Sequence, residues 1–219
     1  MSLEVPALFM VEMFLRRQRA LSFVLAVLTF GGLGGAARAQ VAQQVLRNSD
    51  VSLSAFGQFS SDVSSNGIQQ TTTKSLGGQA AFRHSYHWWL GYEASYGYTR
   101  YAERYTGQVF SYQHNAHEFG GTYLVQGPHA LGLQPFGGVG VSALIFSPSL
   151  NGGQHAEWQG RTAVNFTVGI NHPLLTNHIG VRLQYRGLYY KAPDFGQVAL
   201  KTNSFRITSE PTVGVYLKF

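Results

Sequence analysis

The sequence predicts an all-β protein, an eight-stranded antiparallel up-and-down transmembrane β-barrel. Three observations predict it. Apolar and polar residues alternate with period two in one segment after another. The connections between segments are alternately short and long, as the two ends of an up-and-down barrel require. The apolar set is too bulky to fill the inside of so narrow a barrel, so it belongs outside, in lipid. Composition agrees. Of 219 residues only 12% are charged, about half the share in an average soluble protein. There are 26 glycines, 12 tyrosines and 15 phenylalanines. Mean hydropathy is −0.06, too low for a bundle of membrane helices. With no cysteine in the chain, disulfides, thiol catalysis and Fe–S clusters are excluded.

The first element is an address. Arg16-Arg17-Gln18-Arg19 is followed by an apolar stretch over 21–30 and then by small residues ending Ala37-Arg38-Ala39. A basic region, a short apolar core and an Ala-x-Ala site predict a Sec signal peptide over 1–39, cleaved after Ala39. The apolar core is short for a membrane span of about 20 residues. The residues around the Arg-Arg pair do not favour twin-arginine export, and Met13 is an alternative start to Met1. Removing the four arginines and two glutamates of this segment from 16 basic and 10 acidic residues leaves 12 and 8, a net +4. These charges are scattered, so no nucleic-acid partner is expected. Residues 40–49 are expected to form a short periplasmic segment and 50–219 the barrel.

Eight segments follow. The first two, at about 50–60 and 75–86, alternate weakly. At 89–100, Leu90, Tyr92, Ala94, Tyr96 and Tyr98 alternate with Gly91, Glu93, Ser95, Gly97 and Thr99. Segments 114–126 and 133–146 are again weaker, and the faintness of 50–60 and 133–146 leaves eight strands against ten open. At 160–171, Thr162, Val164, Phe166, Val168 and Ile170 share a face. At 178–190, Ile179, Val181, Leu183, Tyr185, Gly187 and Tyr189 oppose Gly180, Arg182, Gln184, Arg186 and Leu188. The last, 204–219, sets Phe205, Ile207, Val213, Val215, Leu217 and Phe219 against Arg206, Thr208, Glu210, Thr212, Gly214, Tyr216 and Lys218. Pro211 has no N–H to give a ladder, so a bulge or a frayed edge is expected there. The long connections are 61–74, 101–113, 147–159 and 191–203; the short ones lie at 87–88, 127–130 and 172–177. Trp88, Trp89, Tyr98, Tyr101, Tyr189 and Tyr190, near strand ends, are placed for interfacial girdles.

The chain ends Val213-Gly-Val-Tyr-Leu-Lys-Phe219. A terminal Phe with apolar residues at alternate upstream positions resembles the C-terminal assembly signal of bacterial outer-membrane β-barrel proteins, here Val215, Tyr216, Leu217 and Phe219. With the signal peptide and the eight segments, residues 50–219 look like the OmpA/OmpX-type eight-stranded superfamily. The resemblance implies a Gram-negative outer-membrane location and a monomer. It implies outer-membrane lipids and lipopolysaccharide as surroundings, and the barrel assembly machinery as a partner during biogenesis. A cell-wall tether is not implied.

The candidate functional residues are inward charges: Glu93, Glu118 and Glu210 against Arg161, Arg182, Arg186, Arg206 and Lys218. Buried charges must pair or be hydrated, so the expectation is a lumen filled by a salt-bridge network, with Glu93 and Arg182 low and Glu118, Arg186 and Glu210 at mid-height. The alternative is a narrow, low-conductance pore. Long-loop aromatics (Tyr101, Tyr105, Phe110, Tyr112, Trp158 and Phe195) are candidates for surface contact, or for packing loop on loop. His84/His87 and His114/His117 are three apart, which on a strand means opposite faces. No metal and no cofactor are expected, and these histidines are assigned to loops or turns. Some barrels of this resemblance modify lipid A, and a hydrolytic one needs a Ser within reach of a His base. His84 and Ser85 are adjacent, on opposite faces, so no enzyme is expected.

Overall fold

In a computed structural model of the chain, residues 46–65, 67–106, 111–149, 158–176, 178–196 and 201–219 are described. The signal-peptide assignment and Phe110 lie outside them. Ten strands form: β1 (Ser49–Ser60), β2 (Val63–Ser65), β3 (Ile68–Thr72), β4 (Ser75–Ser85), β5 (Leu90–Tyr105), β6 (Ser111–Gln126), β7 (Gln134–Pro148), β8 (Gln159–Thr176), β9 (Ile179–Lys191) and β10 (Phe205–Lys218). Eight of them are barrel staves. Each pairs antiparallel with its neighbour from β4 through β10, and β1 bonds both β4 and β10, which closes the sheet. The fold is therefore a closed eight-stranded antiparallel barrel. The two extra strands are a small β2–β3 hairpin inside the first long connection, where β3 continues the wall above β4 by pairing Gln70–Thr72 with Glu103–Tyr105.

The faces follow the alternation. Tyr96, Tyr98, Phe119, Tyr123, Val139, Val141, Val164, Phe166, Val168, Leu183, Tyr185, Val213, Val215 and Leu217 all stand on the outer surface, exposed. The inner face carries Gln79, Arg83, Glu93, Thr99, Glu118, Asn165, Arg182, Gln184, Arg186, Arg206 and Glu210, all buried. This arrangement inverts that of a small soluble barrel. The lumen is not lined by small residues alone, however. Phe56, Leu124, Phe136, Leu144, Phe146, Leu188, Tyr190 and Tyr216 also point inward and are buried.

Two glycines show how the wall accommodates such packing. A Cβ on Gly140 would overlap the carbonyl of Gly121 across the β6–β7 ladder, and one on Gly187 would overlap the ring of Phe166, which lies over that gap from β8. Pro211 produces no bulge. The β1–β10 ladder steps from Phe56↔Thr212 to Phe59↔Ser209 in unchanged register, and only the intervening rungs are lost; on the other side Pro211 sits opposite Tyr185 in an unbroken ladder. The irregularity lies instead between Pro173 and Thr176 at the short-turn end of β8.

The β6–β7 connection closes with Ala130 and Leu133 bonded to each other, N–H to carbonyl at 2.9 Å both ways. Leu131 (φ 54) and Gly132 (φ 76) occupy its centre. A two-residue turn of this kind needs φ > 0 twice, which suits Asn or Gly and penalises leucine. Leu131 is also fully exposed. Leu131→Asn is expected to stabilise the barrel by about 1 kcal/mol, read as a higher temperature for the gel-mobility transition of the folded protein.

Candidate functional site: the lumen

The buried charges form three tiers. In the lowest, nearest the short turns, Arg83 donates to Glu93 through Nη2 (2.6 Å) and Nε (3.2 Å). Beside it Arg182 reaches Asp50 (2.8 Å), Asn171 (2.8 Å) and Ser52 (3.1 Å). Both guanidinium groups lie over the Phe136 ring, at 4.2 and 5.8 Å, and Arg182 also lies over Tyr216 at 5.1 Å.

In the middle tier Arg186 bridges two carboxylates, Glu210 at 3.0 Å and Glu118 at closer range. Glu118 accepts from Ser142 (2.9 Å), Ser142 from Asn165 Nδ2 (2.8 Å), and Asn165 Oδ1 from Thr122 (2.9 Å). Five strands, β6 to β10, thus contribute to one bonded chain. Between this tier and the next lies a cavity of about 20 Å³, lined partly by Phe56, Tyr101, Leu188 and Glu210. That is room for one water.

In the upper tier Arg206 donates to Glu103 at 2.8 Å, with both side chains fully buried. Gln70 also donates to Glu103, and the Tyr105 hydroxyl lies 2.9 Å from it. Around them Tyr101, Tyr112, His114, Phe146, Tyr190 and Phe195 pack ring on ring. The last of these rings comes from outside the staves. After β9 the chain folds back over the barrel, and Pro193 O accepts from Gln70 (3.2 Å). Phe195, at φ 50, is turned down among the rings. Gln159 Oε1 receives the backbone N–H groups of Asp194 (2.8 Å) and Phe195 (3.1 Å), while its Nε2 donates to Asp194 Oδ1 at 2.5 Å. Arg161 completes this latch, 3.3 Å from Asp194.

Asp194 lies in the connection above the barrel, and its carboxyl is held below the ordinary carboxylate range. Partial burial pushes it up. The hydrogen bonds from Gln159 and the Gly196 N–H, with the charges of Arg161 and Lys201, outweigh that. A carboxyl depressed in the folded state contributes stability above its unfolded pKa of about 3.9 and loses it as pH falls through the folded value. The latch is therefore expected to hold at neutral pH and to loosen below about pH 4. Asp194→Asn should loosen it at pH 7, seen as faster hydrogen exchange at the amides of residues 194 and 195.

The residues singled out from sequence sort as follows. Glu93 and Arg182 lie in the lowest tier, but each finds a partner not on the candidate list, Arg83 and Asp50. Glu118, Arg186 and Glu210 contact one another at mid-height. Arg206 is in the upper tier, paired with Glu103. Arg161 belongs to the loop latch. Lys218 lies exposed at the short-turn mouth, which encloses about 340 Å³, and makes no ion pair among the described residues.

Several expectations need correction. Tyr101, Tyr105, Tyr112 and Phe195 do not form an exposed contact surface; they are buried in the upper tier. Trp158 is exposed. Tyr101 and Tyr190 do not join an interfacial girdle, because both point inward. His114 is not a loop histidine; it is a fully buried lumen residue of β6. His117 faces outward, with Nδ1 at 2.9 Å from the Tyr96 hydroxyl. His84 is bonded not to Ser85 but to Ser49 Oγ at 2.9 Å, and Ser49 is itself buried. Among the described residues no three His, Asp or Glu side chains are grouped to hold a metal. Of the C-terminal residues, Val215, Leu217 and Phe219 face outward and Tyr216 inward. The Phe219 N–H bonds Ser49 O at 3.0 Å, which ties the chain end to β1.

No protein-family model and no curated protein sequence matches the chain. Solved structures do. Neisserial surface protein A aligns with a TM-score of 0.56 at 16% identity, over 78% of this chain and 97% of that one. The outer membrane protein OprG from Pseudomonas aeruginosa aligns with a TM-score of 0.52 at 13% identity, over 78% and 96%. This chain thus has the fold of the small eight-stranded outer-membrane barrels.

Proposed function

We propose that the mature protein is a monomeric integral outer-membrane barrel with an envelope-structural or surface-interaction role, and that its lumen is closed by the three tiers of internal charge. One observation carries the reading: the barrel is inverted, with aliphatic and aromatic side chains outside and charge inside. Such an exterior in water would be a continuous apolar surface far beyond the few hundred Å² that a soluble monomer exposes. In lipid it is the required one. Export through the Sec pathway with cleavage after Ala39, and assembly by the machinery that reads Val215, Tyr216, Leu217 and Phe219, complete the proposal. A non-catalytic role is part of it.

Eight strands leave a lumen just wide enough for side chains to fill. Ion pairs bonded across it resist opening, because separating them strands charges in a medium of low dielectric. Two measurements test the reading. The protein should fractionate with the outer membrane and migrate differently in gels when boiled and unboiled. In planar bilayers it should produce no discrete conductance steps. A soluble periplasmic protein without a mobility shift would overturn the membrane assignment. Reproducible small steps would replace the closed lumen by a narrow pore.

A further inference from the structure

We propose that the outward face of β5 and β6, at their upper edge, is a binding site for the phosphorylated saccharide headgroup of an outer-leaflet lipid, with Arg100 and Arg104 as its anion ligands. The inference rests on the outer-membrane reading above and assigns residues to one lipid contact.

Outward positions on β5 run Leu90, Tyr92, Ala94, Tyr96, Tyr98 and then Arg100, Ala102, Arg104. The change from apolar to cationic comes at Arg100. At about 3.3 Å per residue and a tilt near 40°, Arg100 stands roughly 25 Å above Leu90, the height of the apolar band of such a barrel. It therefore lies at headgroup level, and Arg104 projects from the same face about 13 Å further along the strand. The neighbouring strand changes at the same height: above Phe119, β6 presents His117, Asn115 and Gln113.

The two strands are bonded across this face. Arg100 Nη2 donates to Gln113 Oε1 at 3.0 Å, and the Tyr98 hydroxyl donates to Asn115 Oδ1 at 3.1 Å. Arg100 and Arg104 are nonetheless exposed, with donors left for a ligand, since a guanidinium carries five N–H groups. Lys74, exposed beside the first residue of β4, turns its ammonium over the Phe59 ring of β1 at 5.8 Å and so flanks this face without belonging to it. The acidic residues of β5 and β6 (Glu93, Glu103 and Glu118) all face the lumen, so no carboxylate on these two strands competes for the cations from outside.

The opposite wall lacks this feature. Val164, Tyr189, Phe205 and Ile207 keep it apolar close to the strand ends, and the cations beyond them are Lys191 at the end of β9 and Lys201 in the connection that follows, beside the Asp194 carboxylate. A surface facing only water gains nothing from segregating one sign of charge on one wall. A surface facing phosphates does, because arginine binds them with paired, charge-assisted hydrogen bonds.

The test uses the mature protein folded in detergent, with binding of diphosphoryl lipid A and of dephosphorylated lipid A measured by native mass spectrometry. Wild type is expected to prefer the phosphorylated form by about tenfold or more, and Arg100→Gln/Arg104→Gln to lose about that factor. Lys191→Gln, on the other wall, should keep the preference. The boiled-against-unboiled mobility shift is read on each sample. A variant that keeps the shift but loses the preference supports the site. Undiminished binding by the double variant, or equal binding of both lipids by wild type, overturns it and leaves the barrel reading intact. Displacement of lipid A by millimolar inorganic phosphate would also overturn it, since the site would then be one for free anions. Should the double variant fail to give a shift, Arg104→Gln alone, above the apolar band, decides by the same criteria. A wild-type protein without a shift would instead mean that the outer-membrane reading has failed.

Discussion

Arg186→Met is expected to destabilise the folded barrel by about 3–5 kcal/mol, the cost of removing one partner from a buried ionic group. Arg186 is the only cation bonded to Glu118 and Glu210 among the described residues, and all three side chains are buried. Methionine fills the space but leaves two carboxylates facing each other across the lumen. The loss should appear as a lower midpoint in urea titrations of the protein in lipid vesicles, followed by tryptophan fluorescence. The triple variant Glu118→Gln/Arg186→Met/Glu210→Gln should recover much of the loss, because amides are cheaper to bury than unpaired charges. A midpoint unchanged by Arg186→Met would mean that water reaches the tier. That result would favour a conducting lumen over a closed one.

Val213→Arg should cost about 2–4 kcal/mol in the same vesicles, the penalty for a cation near the bilayer midplane on the lipid face of a barrel. Val213 is exposed on β10, between Phe205 at one end of the strand and Phe219 at the other. The substitution separates the two solvents sharply. In lipid it places a charge in hydrocarbon. In water it adds a surface charge, and exposed substitutions of that kind stay within about 0.5 kcal/mol. A neutral outcome would therefore turn the barrel's outer face toward water and remove the basis for the membrane reading.

Much of the fold was legible in the sequence, and particular residues explain where legibility stopped. From Leu90 to Thr99 and from Ile179 to Tyr190 the alternation marks both strand and face, because one side is the apolar exterior and the other faces a crowded lumen. Above that level the code inverts. Tyr101, Glu103 and Tyr105 point inward while Arg100, Ala102 and Arg104 point outward. There the exterior leaves the apolar band while the interior stays packed with buried side chains. The upper part of β5 thus reads as a polar loop when it is a strand packed from within. The same inversion concealed His114, Tyr112 and the Arg206–Glu103 pair. Arg83 was missed for another reason: in β4 the outer face sets Leu76 and Phe82 among Gly78, Ala80 and His84, and the inner face sets Gln79 and Arg83 among Gly77 and Ala81, so small residues on both sides blur the alternation.

The sequence by itself determined the antiparallel order of the staves, the apolar outer face and the inward side of Glu93, Glu118, Arg182, Arg186, Arg206 and Glu210; ring closure settled the number of staves at eight. Each of the first three depends on alternation along one strand or on the length of one connection, and both are local. Only the tertiary structure decided which charges meet. Ring closure sets a stagger between strands, and that stagger brings Glu118 of β6 to Arg186 of β9 across the lumen while β9 pairing brings Glu210 of β10 to its other side. It also decided that the β9–β10 connection turns back to seat Phe195 among the upper rings. Those contacts join residues up to 132 positions apart in the chain, and no local pattern along a strand encodes a neighbour across the barrel.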